Sequence, residues 1–167
     1  LFVDYLGDFA GRNRDRPFFV YYPMCLPHLT WDFARNRSGY PAPPAVNDRG
    51  ERTGGRSEPG LAASVEYMDV LMGRIVETLE RLGLRENTVL FFTCDNGTSG
   101  YGKGNLAMEH GPRVPMIVNG PGIVRAAGAR DELIDFSDVL PTLADLGGAR
   151  LPEDYALDGH SFAPLLR

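Results

Sequence analysis

The sequence predicts an α/β fold: part of a mainly parallel sheet with flanking helices. Three observations lead there. Phe18-Phe19-Val20-Tyr21-Tyr22 is a short, nearly continuous apolar run, the pattern of a strand buried on both faces of a parallel sheet. Thr88-Val89-Leu90-Phe91-Phe92-Thr93-Cys94 is a second run of β-branched and aromatic residues. Between them Leu61, Val65, Met68, Met72, Ile75, Leu79 and Leu82 step by four and three, one apolar face of a long helix. Strand, helix and strand in that order read as a right-handed crossover joining a parallel pair. Such a unit brings the carboxyl ends of both strands to one edge of the sheet, where open α/β sheets bind ligands.

The elements follow in order. Phe2, Tyr5, Leu6 and Phe9 have helical spacing, broken by Gly11 and the polar turn Asn13-Arg14-Asp15-Arg16-Pro17. Pro23 ends the first strand, and His28 lies just beyond it. Residues 35–60 hold Pro41, Pro43, Pro44, several glycines and Arg49, Arg52 and Arg56. They read as a long surface loop that could border a substrate pocket. The long helix ends at Gly83, a left-handed residue, with Leu84 making the accompanying apolar contact. Gly73 lies inside it, and close packing against the sheet is the expected reason. Met116-Ile117-Val118 is a short strand, Asn119-Gly120-Pro121-Gly122 a turn, and residues 132–135 a last strand or extended arm. Asp138 is the expected N-cap of a helix through Leu146, with Pro141 in its first turn. Residues 150–167 read as loop, with His160 exposed.

Composition narrows the function. At 167 residues the chain is about one domain long. A net charge of −5 and no basic stripe with interleaved aromatics argue against a nucleic-acid partner. No apolar run reaches membrane-spanning length. Two cysteines make no disulfide framework. The chain opens at Leu1 without an initiator methionine and reads as a piece of something longer.

The chemistry concentrates after the second strand. Asp95 and Asn96 offer two oxygens to a hard cation such as Ca²⁺ or Mg²⁺. Lys103, in the glycine-rich Tyr101-Gly102-Lys103-Gly104, is the single lysine beside sixteen arginines. An ammonium is a compact charge that can sit on one oxygen or move a proton. Asn-Gly after a strand is also the strongest short hairpin signal, so a plain turn stays open at this point. Arg113 is expected to pair with a carboxylate and fix its loop. Asn36-Arg37-Ser38 and Asn96-Gly97-Thr98 both fit the glycosylation pattern, and a glycan on Asn96 is incompatible with metal ligation there.

Taken in order, several blocks resemble the second half of the sulfatase family, within the alkaline-phosphatase-like superfamily. They are Phe18-Phe19 through Pro27-His28, the helix with Tyr67, Asp69 and Gly73, Phe92 through Gly97, Gly102-Lys103-Gly104, Glu109 through Pro115, Asp138 through Leu143, and Leu157-Asp158-Gly159. The resemblance covers nearly all of residues 1–167 and makes them the C-terminal portion of a catalytic domain. It implies Asp95 and Asn96 as metal ligands, Ca²⁺ as cofactor with Mg²⁺ as the alternative, Lys103 on the sulfate and ester oxygen, and His28 beside the leaving group. It implies a sulfate-ester small molecule or sulfated glycan as substrate, and a periplasmic or secreted setting. The family's formylglycine comes from the cysteine of Cys-x-Pro-Ser-Arg in the N-terminal half, which is absent here. Cys25-Leu26-Pro27-His28-Leu29 shares only its first and third letters. The same fold carries phosphoester and phosphonate hydrolases, and a non-catalytic α/β binding module is the reading from outside the enzymes.

Overall fold

A computed structural model describes residues 2–28, 30–32, 37–97, 105, 107–125 and 128–167. It divides into two compact units, residues 1–84 and 85–167.

The first unit is built on two helices, α1 (Phe2–Arg12) and α2 (Leu61–Arg81). Val3 and Ala10 of α1 are buried, as are Tyr67 and Leu79 of α2. Gly7 and Gly11 let α1 approach Thr78 and Leu82 closely. Asn13 closes α1 with its backbone and side-chain amides on the Phe9 carbonyl, and it holds the Arg16 guanidinium. The end of α2 is the one the sequence predicts. Gly83 has φ 69°, its N–H donates to the Glu80 carbonyl at 2.9 Å, and Leu84 N–H donates to the Leu79 carbonyl at 2.8 Å. That is the Schellman arrangement, which satisfies the last orphan carbonyls.

The apolar stripe of α2 is only partly used. Leu79 is buried, whereas Leu61 and Val65 near its start are 41% exposed. The covered part is the end that meets α1. Gly73 corrects the expectation of close packing: a Cβ there would stand in open space, and nothing in the structure explains the glycine.

Three short antiparallel ladders form among the described residues. β1 (Thr30–Asp32) pairs with β2 (Arg37–Gly39), β3 (Pro44–Val46) with β4 (Arg52–Arg56), and β5 (Leu90–Thr93) with β6 (Met116–Asn119). The parallel pair expected from the sequence is not among them. Phe18–Tyr22 forms no ladder, because a strand is defined by a neighbour that takes its N–H and C=O groups. The predicted surface loop contains the β3–β4 hairpin. Its turn is clamped by Asn47, whose Oδ1 accepts the N–H groups of Arg49 and Glu51, each at 3.0 Å. Arg52 donates to the Tyr67 hydroxyl at 2.8 Å and ties the hairpin to α2.

The second unit carries β5 and β6. The Phe91 ring of β5 meets the Phe162 ring of the C-terminal segment at 6.2 Å. Residues 136–138 make a single 3-10 turn before α3 (Val139–Gly147). Asp138 stands at the N-cap of α3 as expected, though its side chain makes no cap bond to that helix. Asp135 caps the preceding turn, and the two carboxylates form a reciprocal capping box there. Pro141 and Thr142 of α3 are buried, and Gly148 ends it at φ 66°. Residues 163–166, read as loop, form a short helix, α4 (Ala163–Leu166). Residues 132–135 are an arm without a ladder, and Leu133 is 99% exposed.

Candidate functional site

The candidate ligands stand where β5 stops. The ladder ends at Thr93 opposite Met116, and Cys94 leads into Asp95. Asp95 is exposed and its Oδ1 accepts the Asn96 N–H at 2.9 Å. Asn96 is half-buried. Burial raises the Cys94 thiol, and the adjacent Asp95 carboxylate raises it further, so this cysteine is held as the thiol.

Gly97 does something the sequence did not reveal. Its N–H donates to the Gly111 carbonyl at 2.9 Å, which lays the segment after β5 directly on the turn 108–113. A Cβ at Gly97 would overlap the His110 carbonyl, so only glycine permits the contact. The turn has its own bonds: Gly111 N–H to Met108 O at 3.0 Å and Arg113 N–H to Glu109 O at 2.9 Å. Arg113 also pairs with the Glu109 carboxylate, which is the loop-fixing role expected of it. The sequence signal was present as glycines inside two separate motif blocks. A glycine after Asn reads first as a turn residue, and its use as a contact surface depends on where a distant segment lies.

The same unit has a second joint. The Asp138 carboxylate accepts the His160 N–H at 2.7 Å and the Asp135 N–H at 3.0 Å. These bonds hold its carboxyl below the usual carboxylate range, the His160 bond first. Thr142, fully buried, donates to the Asp138 carbonyl at 2.7 Å and accepts the Phe162 N–H at 2.9 Å. Gly159 lies against the Ser137 backbone as Gly97 lies against His110.

Of the remaining candidates, His28 is exposed in the first unit, and its N–H closes a turn on the Cys25 carbonyl at 2.8 Å. Cys25 is an exposed free thiol. Lys103 and Asn36 lie outside the described residues. Among the described residues no three His, Cys, Asp or Glu side chains gather as a metal cluster. Asp95 and Asn96 place one carboxylate and one amide oxygen in adjacent residues, beside the Gly97–Gly111 backbone bond. Oxygen donors of this kind are what hard cations take, and a full shell needs roughly six to eight of them. No helix among the described residues is long and apolar enough to cross a membrane.

Comparison with known proteins gives these features a family. The sulfatase family profile matches residues 1–149. Rat (Rattus norvegicus) steryl-sulfatase is 33% identical over 96% of this chain and 28% of its own length. Human (Homo sapiens) arylsulfatase A is 35% identical over 93% of this chain and 30% of its own. The solved complex of Ps i-CgsB with k-i-k-neocarrahexaose superposes with a TM-score of 0.68 at 27% identity, covering 97% of this chain and 37% of that one. A second solved complex, with D-glucosamine-2-N,6-O-disulfate as its substrate, gives 0.54 at 27% identity over 64% of this chain and 22% of that one. The chain therefore spans about three-tenths of the length of these curated relatives. With profile, sequence relatives and alkaline-phosphatase-like neighbours in agreement, the chain belongs to the sulfatase family.

Proposed function

We propose that this chain is the C-terminal portion of a sulfatase-type catalytic domain, and that the parent protein hydrolyses sulfate esters with a divalent metal and a formylglycine nucleophile carried outside these residues. The observation that carries the reading is the placement of Asp95 and Asn96 at the carboxyl end of β5, on a segment pinned by the Gly97–Gly111 bond.

Asp95 and Asn96 would hold Ca²⁺, with Mg²⁺ as the alternative, through their side-chain oxygens. The ion, when bound, supplies positive charge opposite the sulfate oxygens. Lys103 would donate to a sulfate oxygen and to the bridging ester oxygen, where negative charge grows as the S–O bond breaks. His28 would give a proton to that leaving oxygen as general acid. The substrate would be a sulfate-ester small molecule or a sulfated glycan. Residues 1–167 alone hold part of this machinery, so the isolated chain is expected to show no turnover.

The test uses the chain extended upstream to the length of its relatives. Release of sulfate from an aryl sulfate should require calcium and be abolished by chelator. Asp95→Ala and Lys103→Ala should each lower kcat by about 100-fold or more. Release of phosphate from an aryl phosphate instead would move the protein to the sister phosphoesterases. Turnover by the 167-residue chain alone would refute the incompleteness of its site. A glycan found on Asn96 would refute its role as a ligand.

A further inference from the structure

Asn96-Gly97 carries a chemistry that its place after β5 does not use. In an Asn-Gly pair the glycine has no side chain, so its amide nitrogen is open to the asparagine side chain before it. Once base removes its proton, the Gly97 nitrogen can attack Asn96 Cγ. The N–Cγ bond forms, the Cγ–Nδ2 bond breaks, and ammonia leaves. Water then opens the resulting succinimide at either carbonyl and gives aspartate or isoaspartate. The sequence needs only base and water, with no oxidant or reductant.

The folded chain obstructs each part of this. The Gly97 N–H donates to the Gly111 carbonyl at 2.9 Å. That bond holds the proton that base must remove, and it aims the nitrogen at residue 111 instead of the Asn96 side chain. The Gly111 carbonyl belongs to a buried residue. Ring closure also requires rotation about the Cα–C bond of Asn96, which swings Gly97 across its neighbour, and the His110 carbonyl already fills the space beside the Gly97 Cα. On the other side, Asp95 Oδ1 accepts the Asn96 N–H at 2.9 Å and restrains where that residue begins.

We propose that Asn96-Gly97 is a latent deamidation site, held back in the folded chain by the Gly97–Gly111 hydrogen bond and released when that bond opens. Reaction proceeds only from the opened state, so its rate follows local opening and not the average structure. The usual net worth of one hydrogen bond corresponds to a roughly fivefold smaller open population. Each conversion puts a carboxylate next to that of Asp95 and adds one negative charge to the net −5. Isoaspartate also inserts an extra carbon into the main chain where Gly97 meets Gly111, so the bond cannot re-form in its old register. The site therefore records how often the joint has opened. This chemistry needs no metal, so it stands or falls apart from the ligand role proposed above.

The test uses the chain extended upstream to the length of its relatives, incubated at mildly alkaline pH in buffer and in denaturing urea. Peptide mapping scores the change from amide to acid mass and separates Asn96 from the other Asn-Gly pair, Asn119-Gly120. Hydrogen exchange reads the Gly97 amide in parallel. Asn96 should convert in urea, and about fivefold or more slowly in buffer. Urea below the unfolding transition should speed conversion and Gly97 exchange together. Asn96→Gln, whose longer side chain closes the ring poorly, should remove the acid-mass signal from its peptide. Equal rates in buffer and urea would overturn the proposal, as would no conversion in urea. So would conversion in buffer while the Gly97 amide stays protected, or a signal that persists in Asn96→Gln.

Discussion

In the first unit, α1 and α2 meet through side chains: Val3, Ala10 and Leu79 are buried, and Gly7 and Gly11 bring Thr78 and Leu82 near. In the second, distant segments meet backbone to backbone. Gly97 lies on the His110–Gly111 peptide and Gly159 on the Ser137 peptide, and the bonds at Asp138 and Thr142 join the same second pair of segments. The first kind of joint tolerates change, because side chains can shift rotamer. The second does not, because a main chain has no slack of that sort. Both candidate ligands, Asp95 and Asn96, immediately precede the Gly97 joint.

The largest expected effect breaks the second joint. Gly97→Ala puts a methyl group into the His110 carbonyl, and overpacking of this severity costs about 3 kcal/mol. Urea denaturation of the variant beside the parent chain measures it. Thr142→Val keeps the shape but leaves the Asp138 carbonyl and the Phe162 N–H without their partner, at roughly 1–3 kcal/mol in the same assay.

Acid acts on that joint as well. The folded Asp138 carboxyl is held below its ordinary value by the His160 and Asp135 N–H groups, and Asp135 by the hydroxyl and N–H of Ser137. A lowered folded pKa means that the unfolded chain binds the proton more readily. The contribution is therefore complete above the ordinary aspartate range and is lost as pH falls through the folded values. Asp138→Asn should flatten the acid side of a stability-versus-pH curve, and an unchanged curve would count against these bonds.

The first unit should respond more mildly, and once in the opposite direction. Gly73→Ala places its methyl group in open space and should stabilise the chain by about 0.5–1 kcal/mol, read as a rise in the denaturation midpoint. The smallest effect returns to the second unit. Arg113→Gln removes an ion pair whose partners are 77% and 63% exposed, so a change of about 0.5 kcal/mol or less is expected. A larger loss would mean that Arg113 holds more than its own turn.

What the sequence made legible follows from locality. The α2 stripe, the Gly83 stop and the strand ending at Asp95 are written in neighbouring residues, and each forms near its expected place. The pairing of β5 with β6, the use of Gly97 as a contact surface and the bonds from Asp138 to residue 160 depend on segments far apart in the chain, which no local pattern encodes. The expected parallel pair is not among the ladders of the described residues. An apolar run announces that it wants burial, but it does not name its neighbour. The choice of Asp95, Asn96, Lys103 and His28 rested on the family resemblance together with residue chemistry. The structure adds the fixed path of the first two, while Lys103 lies outside the described residues.

The exposed arm before α3 has a consequence for proteolysis. Leu133 stands almost wholly in solvent on a stretch with no ladder, the kind of site where proteases cut first. The contacts that tie the end of the chain to the earlier part of its unit do not pass through that stretch. Phe162 still touches Phe91, and Arg125 N–H still donates to the Leu166 carbonyl at 2.6 Å. A single cut at the arm would leave two pieces that travel together on a native gel and separate only in denaturant. The fold would then outlast the continuity of its own chain.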